Sequence, residues 1–216
     1  MIVIGVVLRL QVQRSRLKPG AALTRRYDPA PLREVEALEV GPRGVTGCSG
    51  AERILDVHHA DHPDTRNVRL GNGLSLLPQR HYQSLRAAYG PHLVDGSAGE
   101  SVLLQTTGSW GPDALGGRLW LDTDDGLLEL TGARPAPPCV EFSRFVLRRE
   151  PGDTGAQVLA ALADLDHGAR GFYVTAAGTG VLRVGARLWR DDGRHLPAQP
   201  PAQPSAQPPA QPPAQR

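Results

Sequence analysis

Apolar and polar positions alternate along this chain in short runs, each closed by glycine, proline or aspartate, the pattern of a chain built mainly from short strands. Residues 35–40 (Val-Glu-Ala-Leu-Glu-Val) are an expected strand, stopped by Gly41, Pro42 and Gly44. Residues 101–106 and 118–122 are further expected strands. The Asp124-Asp125-Gly126 turn is a hairpin signal leading into residues 127–131. Residues 172–175 and 187–189 close the folded part, and the apolar residues 1–8 read as an edge or first strand. Two segments change period. Residues 78–89 carry Tyr82, Leu85 and Tyr89 at helical spacing and end at Gly90. Thr154 is expected to cap a second helix holding Val158, Leu159, Leu162 and Leu165, with Gly168 as its stop. Many short strands with a few helices predict a mainly β (α+β) fold, a β-barrel with helical excursions.

From Pro197 to Arg216 the chain cycles through Pro, Ala and Gln and has almost nothing to bury. Such a segment cannot offset its ordering entropy, so residues 1–196 are read as one domain and 197–216 as a disordered, polyproline-like tail. Aromatic residues make up only 5% of the chain, so the core must lean on Leu, Val and Ala. A net charge of +2 argues against a nucleic-acid-binding surface. Lys18 is the sole lysine; with so much Ala, Gly and Pro, the arginine abundance reads as coding bias. Two cysteines make no disulfide framework, which sets a reducing, cytoplasmic context as the expectation. The apolar start is far shorter than the roughly 20 residues that span a bilayer, and it lacks a basic leader or cleavage site, so no membrane partner is expected.

Four segments carry candidate chemistry. Cys139 follows an expected strand in Arg134-Pro135-Ala136-Pro137-Pro138-Cys139, a proline-stiffened loop that holds a thiol with little freedom. Arg134 and Arg144 are near in sequence and would favour a thiolate, the reactive form and a soft ligand for a heavier metal; a buried, inert cysteine is the equal alternative. Cys48, in Gly44-Val45-Thr46-Gly47-Cys48-Ser49-Gly50, reads as an incidental thiol on a flexible glycine loop; as a resolving thiol it would have to lie close to Cys139. Asp56-Val57-His58-His59-Ala60-Asp61-His62 resembles the H-x-H-x-D-H motif of metallo-β-lactamase-type hydrolases, with Val57 where a His is needed, and reads better as a polar loop. Gly96-Ser97-Ala98-Gly99-Glu100-Ser101 reads as a turn into a strand, with convergence of its amides on an anion as the sharper alternative.

In order and spacing these segments resemble MOSC domains, the module named after the C-terminal part of molybdenum cofactor sulfurase. Gly99-Glu100-Ser101 with Val102-Leu103-Leu104 is similar to the family's G-E-N and apolar strand. Leu128-Glu129-Leu130-Thr131, Arg134 and Pro138-Cys139 are similar to its L-E-V-T…R…P-C segment. Arg170-Gly171-Phe172 and Gly180-Val181-Leu182-Arg183-Val184-Gly185 are similar to its closing signature, and Gly44-Val45-Thr46-Gly47 to its early G-(I/V)-x-G-D-R stretch. The match runs over residues 35–189. Ser101 stands for the usual Asn, Cys48-Ser49 for Asp-Arg, and Ala186 for the closing Asp.

The resemblance implies a MOSC-type β-barrel in which Cys139 is the family cysteine, carrying sulfur as a persulfide or ligating the metal of the molybdenum cofactor (molybdopterin). It implies that Arg134 and Arg170 help hold the anionic cofactor and that Gly99 and Glu100 shape its loop, Glu100 through hydrogen bonds to backbone amides. Some relatives are fused to a pyridoxal-phosphate cysteine desulfurase and others reduce N-hydroxylated compounds. A sulfur carrier would therefore need a separate desulfurase, and a reductase a separate electron-transfer protein. The alternatives are a degenerate, non-catalytic binding module and, more weakly, a metal-dependent hydrolase using His58, His59, Asp61 and His62.

Overall fold

The computed structural model describes residues 1–21, 24–65, 67 and 69–192. The tail expected over 197–216 lies outside them. In chain order the elements are β1 (Ile2–Gln13), β2 (Leu32–Glu34), β3 (Ala37–Gly41), β4 (Gly44–Ser49), β5 (Glu52–Leu55), β6 (Leu74–Pro78) and α1 (Gln79–Tyr89). There follow β7 (Val102–Gln105), β8 (Leu119–Thr123), β9 (Gly126–Pro135), α2 (Val140–Val146), α3 (Ala156–Asp164), β10 (Phe172–Ala176), β11 (Gly180–Arg183) and β12 (Arg187–Arg190).

Seven of these strands, in the order β12-β8-β9-β10-β6-β7-β1, close on themselves because β1 pairs with both β7 and β12. All neighbours are antiparallel except β6 and β7. Closure leaves no open edge among the barrel strands, and β2 extends the far end of β1. The residues pointing inward, among them Leu10, Leu76, Leu104, Leu121 and Val174, form one apolar core. A four-stranded sheet, β11-β3-β4-β5, packs beside the barrel, and a second core gathers around Tyr82, Leu93, Phe142 and Val146 under the helices.

The apolar start is the first strand, and it is not an edge. β1 runs 12 residues and lies between two barrel neighbours. Gly5 and Val7 are buried, then Leu10 and Val12, a one-residue break in alternation. The break coincides with a bulge against β7 between Val7 and Arg9, which turns the following side chains to the other face.

The segment around Cys48 is likewise not a flexible loop. It is β4, paired on both sides, with Cys48 opposite Ala37 and Arg53. Gly47 belongs there for packing, because a Cβ would stand 2.8 Å from a methyl of Val35 and 2.9 Å from one of Val12. Thr154 does not cap α3: Gly155 holds the N-cap position with no side-chain bond, and the preceding turn is closed by Asp153 Oδ1 accepting from the Gly155 amide. Leu159 faces out and Val158, Ala161 and Leu165 face in. No described helix is long and apolar enough to cross a membrane.

Candidate functional site

The end of the β9–β10 ladder builds the site. Pro135 is the last β9 residue in register, opposite Phe172, and the Ala136 amide donates to the Gly171 carbonyl at 2.8 Å. Beyond that bond the two chains part. One becomes the Pro137-Pro138 link to Cys139, the other the turn holding Arg170. Cys139 occupies the N-cap position of α2, a helix that the alternation pattern did not reveal. Its carbonyl accepts from the Ser143 amide at 3.0 Å and the Ser143 hydroxyl at 3.2 Å, which fixes the residue while leaving its side chain free to point elsewhere.

That side chain meets Arg170. A guanidinium N–H donates to Cys139 Sγ at 3.3 Å, and the other terminal nitrogen reaches the Ala98 carbonyl at 3.4 Å. The guanidinium lies 4.7 Å from the Phe142 ring centroid and 5.9 Å from that of Tyr27, so aromatic faces sheathe the charge. Burial works against that charge, yet Cys139, Tyr27 and Tyr173 outweigh it and hold the Arg170 pKa above its ordinary value. Burial pushes the Tyr27 phenol well up, and its hydroxyl donates to the Ser97 carbonyl at 2.8 Å.

Cys139, Arg170, Gly99 and Glu100 all line one cleft of about 620 Å³, a size suited to a cofactor or a drug-sized ligand. Gly99 has φ of +85°, and a Cβ there would come within 2.8 Å of Leu17. Glu100 is buried at 4% exposure, and its carboxylate accepts from the Tyr82 hydroxyl at 2.8 and 3.1 Å. That hydroxyl accepts in turn from the Ala98 amide at 2.8 Å, so Glu100 braces this part of the loop through Tyr82. Burial raises its pKa from 4.5 to about 7. The loop is not an anion nest: the Ser97, Ala98, Gly99 and Ser101 amides all donate within the protein.

Arg134, nearer in sequence, is not among the cleft-lining residues. It is exposed, donates to the Gly71 carbonyl and the Asn72 side chain, and lies over the Tyr173 ring. Cys48 does not line the cleft either; its thiol faces the Thr46 carbonyl at 3.8 Å, and both cysteines are free. The histidine segment spends its nitrogens on its own turns. His59 Nδ1 accepts from the Asp61 amide, His62 Nδ1 from the Asp64 amide, and Asp61 pairs with Arg43. No group of three or more metal-ligating side chains occurs among the described residues. His58 alone turns to the cleft, its Nδ1 2.9 Å from the buried carboxylate of Asp56.

Several lining residues were not singled out in the sequence: Tyr27 and the cations Arg16, Lys18 and Arg25. All sit in the connection between β1 and β2, residues 14–31. Its described residues, 14–21 and 24–31, form no helix or strand, and so long a connection is itself a functional signal.

No family model matches the chain, and neither does any curated sequence. Solved structures do resemble it. The YuaD protein from Bacillus subtilis is 12% identical with a TM-score of 0.51, over 85% of this chain and 93% of that one. YiiM from Geobacillus stearothermophilus is 14% identical with a TM-score of 0.50, over 87% and 75%. At such identities the likeness shows the fold alone. That fold is mainly β with a closed seven-stranded barrel.

Proposed function

We propose that the cleft binds the molybdenum cofactor and that Cys139 acts there as a soft metal ligand or as a sulfur carrier. The observation that carries this reading is the N–H of Arg170 donating to Cys139 Sγ at 3.3 Å on the wall of a cleft of about 620 Å³. The donor set suits the group. A cysteine sulfur is a soft ligand, and Arg16, Lys18 and Arg25 on the same cleft are cations for a pterin phosphate. When bound, the cofactor would supply redox chemistry at its metal.

The chain's own residues do the rest. Arg170 offsets negative charge on the sulfur, whether the sulfur binds metal or carries a second sulfur atom. The Pro137-Pro138 link limits its movement. Glu100, titrating near neutrality, can hold or release a proton at its carboxyl oxygen in the cleft wall. As a carrier, the Cys139 thiolate would attack the outer sulfur of a donor's cysteine persulfide. A new S–S bond would form on Cys139 and the donor cysteine would leave as its thiolate. A separate cysteine desulfurase would supply that persulfide, just as a reductase would need a separate electron-transfer protein.

The test is elemental analysis with intact mass on protein from a host that makes the cofactor. Near-stoichiometric molybdenum, lost in Cys139→Ser, supports the ligand role. No molybdenum but one added sulfur, lost in the same variant, supports the carrier. If Cys139→Ser changes neither measurement, the proposal is wrong. Wild-type protein holding neither would leave a non-catalytic binding module as the better reading.

A further inference from the structure

A second depression, of about 300 Å³, opens beside the cleft and shares Arg25 with its wall. Four more arginines line it: Arg26, Arg144, Arg148 and Arg149. Two carboxylates, Glu141 and Glu150, face these five guanidinium groups, in a chain whose net charge is only +2. Several exposed arginines elsewhere pair with a carboxylate, as in Arg33–Glu52, Arg53–Glu39, Arg118–Glu129 and Arg183–Asp124, while Arg80 and Arg134 donate to neutral groups.

Arg144 marks the groove as a built site. It lies on α2, is only 8% exposed, and its Nε donates to the Asp153 carbonyl. Its two terminal nitrogens donate to nothing among the described residues, and neither is among the enclosed unpartnered atoms. A guanidinium drawn out of water with donors unspent and open to a groove is poised for an anion.

Arg26 and Arg148, both exposed, form no ion pair or side-chain hydrogen bond among the described residues. Arg148 follows the α2 C-cap with φ of +54°, a position where glycine is the default and an arginine is held at a conformational cost. Arg25 and Arg149 are steadied by Glu141 and Asp153 at 3.7 and 3.8 Å. The two arginine-bearing segments are far apart in sequence. The Tyr27 ring clamps them together, 4.9 Å from Phe142 and 5.0 Å from Phe145.

We propose that this groove is a second anion-binding site, adjoining the Cys139 cleft and sharing Arg25 with it, and that it takes the phosphate or diphosphate group of a small phosphorylated ligand. The excess of guanidinium over carboxylate suits a multiply charged group better than a single carboxylate, and fork-shaped donors match phosphate oxygens. The site does not depend on molybdenum or on Cys139.

The test is calorimetric titration with inorganic diphosphate at low and moderate salt. Arg26→Ala/Arg148→Ala removes two exposed, unpaired cations, so its melting temperature should match wild type. It is expected to weaken binding at least tenfold and to flatten the salt dependence. Arg16→Ala/Lys18→Ala, on the cleft, is expected to leave diphosphate affinity within twofold. Absence of saturable binding overturns the proposal, as does loss in the cleft variant with none in the groove variant. An octaglutamate peptide that binds more tightly than diphosphate would also overturn it, assigning the groove to an acidic protein segment.

Discussion

Glu100 is a carboxyl group walled off from water, and its protonation couples the cleft to solution pH. Its folded pKa of about 7 lies above the ordinary 4.5 because burial penalises the charged form. The folded state therefore binds the proton more tightly than the unfolded chain. The stabilising contribution is complete below about pH 4.5, and it falls as pH rises to about 7. His81 acts in the opposite sense. Burial lowers its pKa, its Nδ1 faces the Ala169 carbonyl, and its Nε2 accepts from the Trp110 amide, so acid below its ordinary pKa opposes folding. The two trends partly cancel in wild type and separate in a difference. In Glu100→Gln the Glu100 dependence vanishes and that of His81 remains. Relative to wild type, the variant should gain on the order of 2–3 kcal/mol between pH 4.5 and pH 8, read from urea midpoints. An unchanged difference across that range would mean that Glu100 is not titrating there.

The junction of β9, β10 and α2 decides the site, and there one glycine matters more than either charged residue. Gly171 has φ of +95°, and a Cβ on it would sit 2.6 Å from the Leu76 backbone oxygen. Neither chain can yield without disturbing the β6–β10 pairing, Phe172 opposite Leu76. Gly171→Ala is expected to cost roughly 2–4 kcal/mol in thermal or urea unfolding. It should also alter the alkylation rate of Cys139, because the Gly171 carbonyl anchors the cysteine loop through the Ala136 amide. Gly50→Ala is the contrast: φ is positive, but nothing lies within 4 Å, so it should cost only about 1 kcal/mol. The legibility of the chain follows the same divide. β10 was readable because every second residue is buried, and β3, β7 and β8 because short apolar runs, buried at consecutive positions, are bounded by polar and turn residues. β4 was not, because Gly44 and Gly47 look like loop residues until the close approach of His59 to the one and of Val12 and Val35 to the other explains them. Cys139, Gly99, Glu100 and Arg170 were all named through motif order, and they line one cleft. Arg134 was favoured for its nearness to Cys139 in sequence, whereas the contact belongs to Arg170, 31 residues away, brought there by strand pairing.

At the scale of the whole molecule, the barrel and the smaller sheet share one apolar core, to which the smaller sheet gives Leu38, Val40, Val45 and Leu182, and β1 ties the two together. It pairs with β7 and β12 to close the barrel, its end pairs with β2, and Val12 packs against Gly47 of the smaller sheet. β11 continues the tie, since Val181 accepts from the Asp124 amide in the β8–β9 turn. If residues 1–196 fold as one unit, as proposed from the sequence, neither sheet can open without exposing core that belongs to the other. Two probes distinguish the parts. Trp120, buried at 7% exposure, reports on the barrel, and Cys48, buried at 9%, reports on the smaller sheet. In a Cys139→Ser background, pulsed thiol labelling of Cys48 and tryptophan fluorescence should give the same urea midpoint. Labelling of Cys48 at clearly lower urea would mean that the β11-β3-β4-β5 sheet unfolds by itself. Leu10→Ala then sharpens the result. Leu10 is fully buried in the barrel core, and its truncation should cost about 2–5 kcal/mol. Both midpoints should fall together if β1 couples the sheets, and only the tryptophan midpoint if it does not.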